Sequence, residues 1–226
     1  MADIFSEVEE ELRRDKYNAL LRRYGLWILG AAALIVLAAG LYQGVWEPSR
    51  ANRIAGYSDA YQQAQALRAA GQLDAADSAY ADLSEGDHDG YAALALMQRA
   101  DIAETAGDAS RAAALYAEAA EKADDEALAG LARVKGLYAM ADEASYDEIL
   151  SRAEPLAAAD SPYRASAREL IGAAALRAGD LDRARREYEY LTLAPETPQG
   201  IRVRAGEGLA AVERAAAASQ SPEEAP

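Results

Sequence analysis

The stretch 176–191, "LRAGDLDRARREYEYL", decides the fold because its pattern occurs twice more in the chain. The stretches 67–83, "LRAAGQLDAADSAYADL", and 103–119, "AETAGDASRAAALYAEA", align with it without gaps. Each copy has a glycine, an alanine five residues later and a tyrosine nine residues later: Gly71, Ala76 and Tyr80; Gly107, Ala112 and Tyr116; Gly179, Ala184 and Tyr188. The first two glycines are 36 residues apart and the last two are 72 apart, which is twice that period. The chain therefore contains an internal repeat of the length that forms stacked helix pairs.

A degenerate copy fills the gap between residues 107 and 179. It is the stretch 143–156, "EASYDEILSRAEPL", in which Ala144 replaces the glycine. Ile149, Ala153 and Leu156 then follow at the equivalent apolar positions. This copy has lost both the glycine and the aromatic ring. With it, the repeat occurs about four times in regular succession.

The repeated residues have a physical meaning in a pair of antiparallel helices. Glycine suits the turn between the helices, where a left-handed backbone is often required. The alanine lets the two helices approach closely, and the tyrosine ring fills the space between neighbouring pairs. We predict first helices at Ser58–Ala70, Tyr91–Ala106, Ala127–Met140 and Tyr163–Ala178. Because one such pair cannot bury its own apolar face, the copies are expected to stack into an α-solenoid.

A further helix is predicted after Pro198, where Ile201, Ala205, Leu209 and Val212 line one side. Such a helix would serve as the C-terminal cap that a solenoid needs. The last residues, 215–226, end in the small and polar sequence "ASQSPEEAP" and are expected to be disordered.

The composition favours an all-α chain and excludes most catalytic chemistry. Among 226 residues there are 58 alanines, which are good helix formers and poor strand formers. The chain has no cysteine and one histidine, His88, so thiol nucleophiles and multi-histidine metal clusters are excluded. There is no phosphate loop, zinc motif or nucleophile elbow. We therefore predict that the protein is not an enzyme and has no metal or cofactor, and the net charge of −15 argues against nucleic acid as a partner.

The one compact polar cluster, residues 87–90, reads "DHDG". The carboxylates of Asp87 and Asp89 are ligands that a hard cation prefers. A calcium loop, however, needs a longer series of ligands that ends in glutamate. A solvated turn between two helix pairs is the favoured interpretation, and the sequence does not decide whether the turn holds an ion.

Residues 24–46 contain no Asp, Glu, Lys or Arg, and their centre reads "LWILGAAALIVLAAGLY". A membrane-spanning helix needs about 20 mostly apolar residues, so the length is sufficient. Tyr24, Trp27, Tyr42 and Trp46 lie near the two ends, where aromatic rings favour the membrane interface. We predict a transmembrane helix over Tyr24–Trp46 that anchors the chain in the lipid bilayer. The alternatives are a buried core helix and a cleaved signal peptide.

Basic residues around this segment predict its orientation, because they favour the cytoplasmic side. Five of them precede it and two follow closely: Arg13, Arg14, Lys16, Arg22 and Arg23, then Arg50 and Arg53. The N-terminus is therefore expected in the cytoplasm and the repeats on the other side. The expected domains are a cytoplasmic amphipathic segment 1–23, the anchor 24–46, an exported repeat domain 47–214 and a tail 215–226.

The segment 1–23 has its own amphipathic pattern, with Ile4, Phe5, Val8 and Leu12 spaced as on one helix face. Two interpretations remain open for it. It is either a docking helix for a cytosolic partner or a solvated extension of the anchor.

The repeat resembles the tetratricopeptide repeat, whose second helix carries glycine, alanine, an aromatic residue and proline in that order. Gly179, Ala184, Tyr188, Leu191 and Pro195 match this pattern, and the resemblance covers roughly residues 51–195. The first-helix tryptophan typical of that repeat is absent, and the third copy departs from the pattern. The resemblance implies an α-solenoid of about four helix pairs.

The same resemblance implies a concave groove, lined by the first helices, that binds peptides or partner proteins. The groove candidates carried over by frame are Tyr61, Gln65, Arg68, Leu94, Met97, Asp101, Val134, Tyr138, Glu169, Ala173 and Arg177. For Met97, Val134 and Tyr138 the alternative is that they pack between neighbouring first helices.

The whole layout resembles the ancillary SecYEG translocon subunit family of bacterial inner membranes. A short cytosolic segment, one N-terminal anchor and an exported tetratricopeptide domain carry this likeness. It implies a single-pass inner-membrane protein whose periplasmic domain binds the translocon, periplasmic chaperones or secretory polypeptides. The alternatives are a scaffold for cell-envelope assembly or cell division, and an uncharacterised hydrolase subunit.

Overall fold

The computed structural model describes Tyr24, Trp27, residues 30–42 and residues 47–220. The chain divides into two compact units, Met1–Gly56 and Tyr57–Pro226. In the first unit, residues 30–41 are helical. No helix among the described residues is long and apolar enough to cross a bilayer. The predicted segment 1–23 and the remaining residues of the predicted anchor lie outside the described residues.

Residues 47–220 are entirely helical between their turns, with no strand, which confirms the all-α prediction for the described part of the chain. The helices are α1 Glu47–Ala69, α2 Leu73–Ser84, α3 Asp89–Thr105, α4 Ala109–Lys122, α5 Glu126–Met140, α6 Tyr146–Ala153, α7 Arg164–Ala178, α8 Leu181–Leu193 and α9 Gln199–Gln220. A 3₁₀-helix, Glu154–Ala157, follows α6. From α3 onwards each helix packs against the next one in sequence, as in a solenoid of helix pairs.

Two helices extend beyond their expected ends. Helix α1 begins at Glu47, well before the predicted Ser58, and its second residue, Pro48, is of the type that helix starts tolerate. Helix α9 continues to Gln220, so residues 215–220 of the expected disordered tail are helical. The run of four alanines at 215–218 explains this continuation, because alanine is the best helix former. Residues 221–226 lie outside the described residues.

The turns within three of the pairs contain a glycine with a left-handed backbone. Gly71, Gly107 and Gly179 have φ values of 75°, 78° and 82°. The amide after each glycine donates to a carbonyl five residues earlier; Asp108 N, for example, lies 2.9 Å from Ala103 O. This is the hydrogen bond of a Schellman motif, which satisfies a carbonyl at the end of the helix. Asp108 and Asp180 then cap the next helices with their side chains.

The predicted apolar positions of the second helices lie in the core. Ala76, Ala112 and Ala184 are fully buried, and Tyr80, Tyr116 and Tyr188 are buried beside them. The Tyr188 ring lies against two glycines of neighbouring helices: a Cβ on Gly172 would stand 3.1 Å from the ring, and one on Gly208 only 2.5 Å. A larger residue at Gly208 would therefore displace the ring.

The third pair, which consists of α5 and α6, has neither a glycine in its turn nor a tyrosine ring at the repeated core position. Ala144 has a negative φ, as do all other non-glycine residues that the structure describes. Ser145 caps α6, its Oγ accepting a hydrogen bond from Glu148 N at 3.2 Å. Ile149, Ala153 and Leu156 are buried. Helix α6 has only eight residues because Pro155 follows it, and the chain continues as the 3₁₀-helix.

Candidate protein-binding face

Charged residues recur at one position of successive first helices. They are Arg68, Asp101, Lys135, Glu169 and Arg204, at intervals of 33, 34, 34 and 35 residues, on α1, α3, α5, α7 and α9. Their charges alternate along the array. We call these five residues, together with Tyr138 of α5, the ladder face.

Three side chains contact the Asp101 carboxylate, two from the ladder face and one from α4. Its carboxylate accepts hydrogen bonds from Lys135 Nζ and the Tyr116 hydroxyl, and Arg68 Nη1 lies 3.5 Å from Oδ2. Arg68 also donates to Gln98 Oε1. Burial raises the pKa of Asp101, but the hydrogen bonds from Lys135 and Tyr116 and the charges of Lys135 and Arg68 outweigh burial and lower it. Asp101 is therefore a carboxylate that joins α1, α3, α4 and α5.

Glu169 has the same role at the other end of the array. The Tyr138 hydroxyl donates to Glu169 Oε2 at 2.8 Å, and Arg204 binds both carboxylate oxygens, with Nη2 2.9 Å from Oε2. Burial and the hydrogen bond to Glu169 raise the pKa of Tyr138 to about 12. The hydrogen bond and charge of Glu169 also raise the pKa of Arg204. A single buried carboxylate thus joins α5, α7 and α9.

Tyr61 and Leu94, two further predicted groove residues, are both half-buried. The Tyr61 ring has its centroid 5.6 Å from that of Tyr80 and 6.1 Å from that of Tyr91. It therefore belongs to an aromatic group at the N-terminal end of the repeats. The remaining candidates, Gln65 and Ala173, are exposed.

The side chains of Met97 and Val134 are buried and so are not accessible to a partner protein. Met97 is buried in the apolar cluster around Tyr116, and Val134 in the cluster around Ile149. The alternative interpretation, packing between helices, describes their positions. Their apolar side chains gain more free energy from burial in these clusters than from an exposed site.

Arg177, another predicted groove residue, binds backbone carbonyls of the chain itself. Its guanidinium donates to the carbonyls of Ala141, through Nη1, and of Ala144, through Nη2 at 2.6 Å. Both carbonyls belong to the turn between α5 and α6. Arg177 of the fourth pair therefore holds the turn of the third pair.

The groove positions carried over from the tetratricopeptide repeat did not include Lys135, Arg204 or Gln98. Lys135 and Arg204 were identifiable from the sequence, because each follows an acidic residue at one repeat length, Asp101 and Glu169 respectively. Opposite charges at this interval indicate an ion pair between neighbouring first helices. Gln98 has no comparable signal.

The acidic turn at residues 87–90 is packed around aromatic rings. His88 caps α3, its Nδ1 accepting a hydrogen bond from Tyr91 N at 3.4 Å. The Tyr57 hydroxyl accepts a hydrogen bond from Asp87 N at 3.1 Å. In the described part of the chain, no three His, Cys, Asp or Glu side chains come together to hold a metal ion.

An apolar cavity of about 260 Å³ lies between α4, α5 and α6. Its lining comprises Ala113, Ala117, Arg133, Gly136, Leu137, Met140 and Arg152. Both arginines are already in ion pairs: Arg133 is 2.6 Å from Glu126, and Arg152 is 2.8 Å from Glu148. The cavity belongs to the short third pair, whose second helix ends early.

These features define an α-solenoid of helix pairs whose first helices are joined by ion pairs and, between α5 and α7, by the hydrogen bond from Tyr138 to Glu169. The comparison with protein families identifies the solenoid: the Tetratricopeptide repeat-like domain matches residues 19–201, and the chain belongs to this family. No curated protein and no solved structure matched the chain. Domains of this family are generally non-catalytic modules for protein–protein interaction, so the chain contains a protein-interaction scaffold.

Proposed function

We propose that the protein is a membrane-anchored adaptor that binds other proteins on the periplasmic side of the bacterial inner membrane. Its partners are the Sec translocon, periplasmic chaperones or emerging secretory polypeptides. The observation that carries the proposal is the interaction domain of the tetratricopeptide type, combined with a charge-free segment before it. No catalytic constellation was found in the sequence.

The apolar segment supports membrane anchoring. Residues 24–46 carry no charged side chain, and the large apolar side chains described within them are exposed: Trp27, Leu34, Ile35, Val36, Leu37 and Leu41. A helical surface of this kind needs an apolar environment. The basic residues before the segment favour an N-terminus in the cytoplasm.

Labelling of single cysteines tests the orientation, because the chain has no cysteine of its own. Ser6→Cys is expected to be protected from an impermeant maleimide in intact spheroplasts, and Glu143→Cys to be labelled. Glu143 is exposed in the turn before α6 and, unlike Ser145, caps no helix. Labelling of the first variant alone would reject the periplasmic location and the adaptor role at the translocon.

Photo-crosslinking tests the binding role. Ala173 is exposed on α7, one helical turn after Glu169, and therefore lies beside the ladder face. Asp182 is exposed on α8, the second helix of the same pair. A crosslinker at residue 173 is expected to capture translocon subunits, chaperones or secretory chains in cells, and one at residue 182 to capture far less.

The second candidate function is a scaffold for envelope assembly or cell division. The same crosslinking experiment separates the two functions. Capture of division or cell-wall proteins alone at residue 173 would favour this scaffold. Equal capture from both positions would remove the ladder face as the binding surface.

A further inference from the structure

We propose that the ladder face binds an acidic stretch of an extended polypeptide, whose side-chain carboxylates contact Arg68, Lys135 and Arg204. The inference rests on the proposed protein-binding function and names the chemistry of the partner. The observation that supports it is the difference in exposure between the cation and the carboxylate of each ion pair on this face.

In each ion pair of the ladder face, the cation is more exposed than the carboxylate. The side chains of Arg68 and Lys135 are 34% and 32% exposed, whereas that of their shared partner Asp101 is 21% exposed. Arg204 is 55% exposed and Glu169 only 10%. A ligand on this face therefore meets the cations before it meets the carboxylates.

The cations also keep unused hydrogen-bond donors. A guanidinium has five N–H groups and an ammonium has three. Arg204 donates to its partner through Nε and Nη2, and Arg68 donates through Nη1. Lys135 donates to Asp101, and its Nζ lies 4.9 Å from the centroid of the Tyr116 ring. Within the described part of the chain, Nη2 of Arg68 makes no hydrogen bond, and Arg204, which also interacts with the Tyr138 hydroxyl, is 55% exposed and open to an incoming carboxylate.

The less exposed carboxylates hold these cations in place before a ligand arrives. Long basic side chains lose rotamer entropy when they bind, and prior ordering reduces this loss. Asp101 and Glu169 thus act as supports beneath the binding groups. The ladder face has three cations and two carboxylates, and Glu104, which accepts from the Tyr116 hydroxyl at 3.1 Å, is a third carboxylate beside it. The cations are the more exposed members of these ion pairs, and they direct an acidic partner to the ladder face.

The spacing of the three cations favours several side-chain carboxylates over one terminal carboxylate. Arg68, Lys135 and Arg204 lie on α1, α5 and α9, so two repeats separate each from the next. A single C-terminal carboxylate engages one of these positions only. An extended acidic stretch contacts more than one, with Tyr138 between the last two cations as an apolar and partly exposed surface.

Peptide binding to the full chain in mild detergent tests the proposal. The probe is a fluorescent, glutamate-rich peptide with an amidated C-terminus, and its match is the same peptide with glutamine at every glutamate. We expect anisotropy to report tighter binding of the glutamate peptide, weakened by salt because the exposed cations are screened. Arg68→Gln, Lys135→Gln and Arg204→Gln are each expected to weaken binding about threefold, the scale of an exposed ion pair.

Arg214→Gln is the matched control, since it removes the same charge from an exposed position of α9 outside the ladder face. It is expected to leave affinity unchanged. Arg204→Lys, which keeps the charge, is expected to retain most of the binding even if Arg204→Gln unfolds. Equal affinity for the two peptides, or an equal loss in Arg214→Gln, would overturn the proposal.

A third probe separates side-chain from terminal carboxylates. If the glutamine peptide binds once its C-terminus is a free acid while the amidated glutamate peptide does not, the face captures a chain terminus and the proposal is wrong. Crosslinking at residue 173 is independent of these peptides. Capture of partners without glutamate-dependent binding would reject the acidic ligand and leave the adaptor function standing.

Discussion

The second and third helix pairs solve the same structural problem in different ways. The second pair turns at Gly107, whose φ is 78°, and fills its interior with the fully buried Tyr116 ring. The third pair has Ala144 and Ala153 at the equivalent positions, a serine cap and a second helix of eight residues. The turn of the second pair closes with its own residues, whereas Arg177 of the fourth pair binds the turn of the third, and an apolar cavity of about 260 Å³ lies beside the third pair.

The largest expected effect comes from removing the Tyr116 ring of the second pair, which has no counterpart in the third pair. Tyr116→Ala should lower the free energy of unfolding by about 3–5 kcal/mol, because it leaves a cavity in a fully buried site. Chemical denaturation of the fragment 47–226 measures this change. Ala153→Gly, which alters the equivalent position of the third pair, should cost only about 1 kcal/mol. A smaller loss for Tyr116→Ala than for Ala153→Gly would reverse the comparison.

A smaller effect is expected at the position five residues after the turn, which is alanine in the second pair and isoleucine in the third. Ala112 is fully buried, and the third pair has Ile149 there. Ala112→Ile should overpack the contact and cost about 1–3 kcal/mol. Ala114→Ile makes the same change at an exposed position of α4 and should cost well under 1 kcal/mol. Equal denaturation midpoints for the two variants would show that the second pair has room for a larger residue.

The glycine turn should contribute less again. Gly107→Ala should cost about 1–2 kcal/mol because a side chain is strained in a left-handed backbone. A Cβ there would meet no atom within 4 Å, so the cost arises from the backbone alone. Gly107→Asn should recover part of the loss, since asparagine tolerates this conformation better. No difference between alanine and asparagine would reject the backbone explanation.

The smallest effect concerns Tyr138, the tyrosine that the third pair places on the ladder face. Its pKa is raised to about 12 in the folded protein, whereas an unfolded tyrosine ionises near its ordinary value of about 10. Between these values the unfolded state binds fewer protons, so stability falls as the pH rises. Stability measured at pH values from about 9 to 12 should therefore fall less steeply in Tyr138→Phe than in the parent. Identical slopes would remove Tyr138 from the alkaline transition.

The fold was predictable because the signals that define it are local and repeated. Glycine, alanine and tyrosine at fixed offsets determine the turn, the close approach and the filling of each pair, and each is visible in the sequence. The third pair was predictable only in outline, since its turn depends on Arg177, which lies more than 30 residues away. The length of α9 was underestimated because its polar C-terminal residues suggested an earlier end, although the four alanines at 215–218 favour a helix.

The candidate binding face was predictable in part. Arg68, Asp101, Tyr138 and Glu169 were included by the repeat frame, and the structure brings them together on the ladder face. Met97 and Val134 were included by the same frame but lie in the core. A frame gives a residue's position along a helix, and it does not distinguish the edge that touches the next helix from the edge that remains exposed. The alternation of charge at one repeat length provides that distinction.

The contact of Arg177 with the turn of the third pair has a consequence for the order of folding. The carbonyls of Ala141 and Ala144 receive their guanidinium partner only after the fourth pair has formed. During synthesis the third pair emerges first, so its turn has only its own backbone hydrogen bonds, such as Ala144 N to Met140 O at 2.9 Å, until residues 164–178 supply the guanidinium. The second pair has no such dependence at its turn. Nucleation is therefore expected at the second and fourth pairs, and the third is completed between them as a bridge that couples the two halves of the array into one cooperative unit.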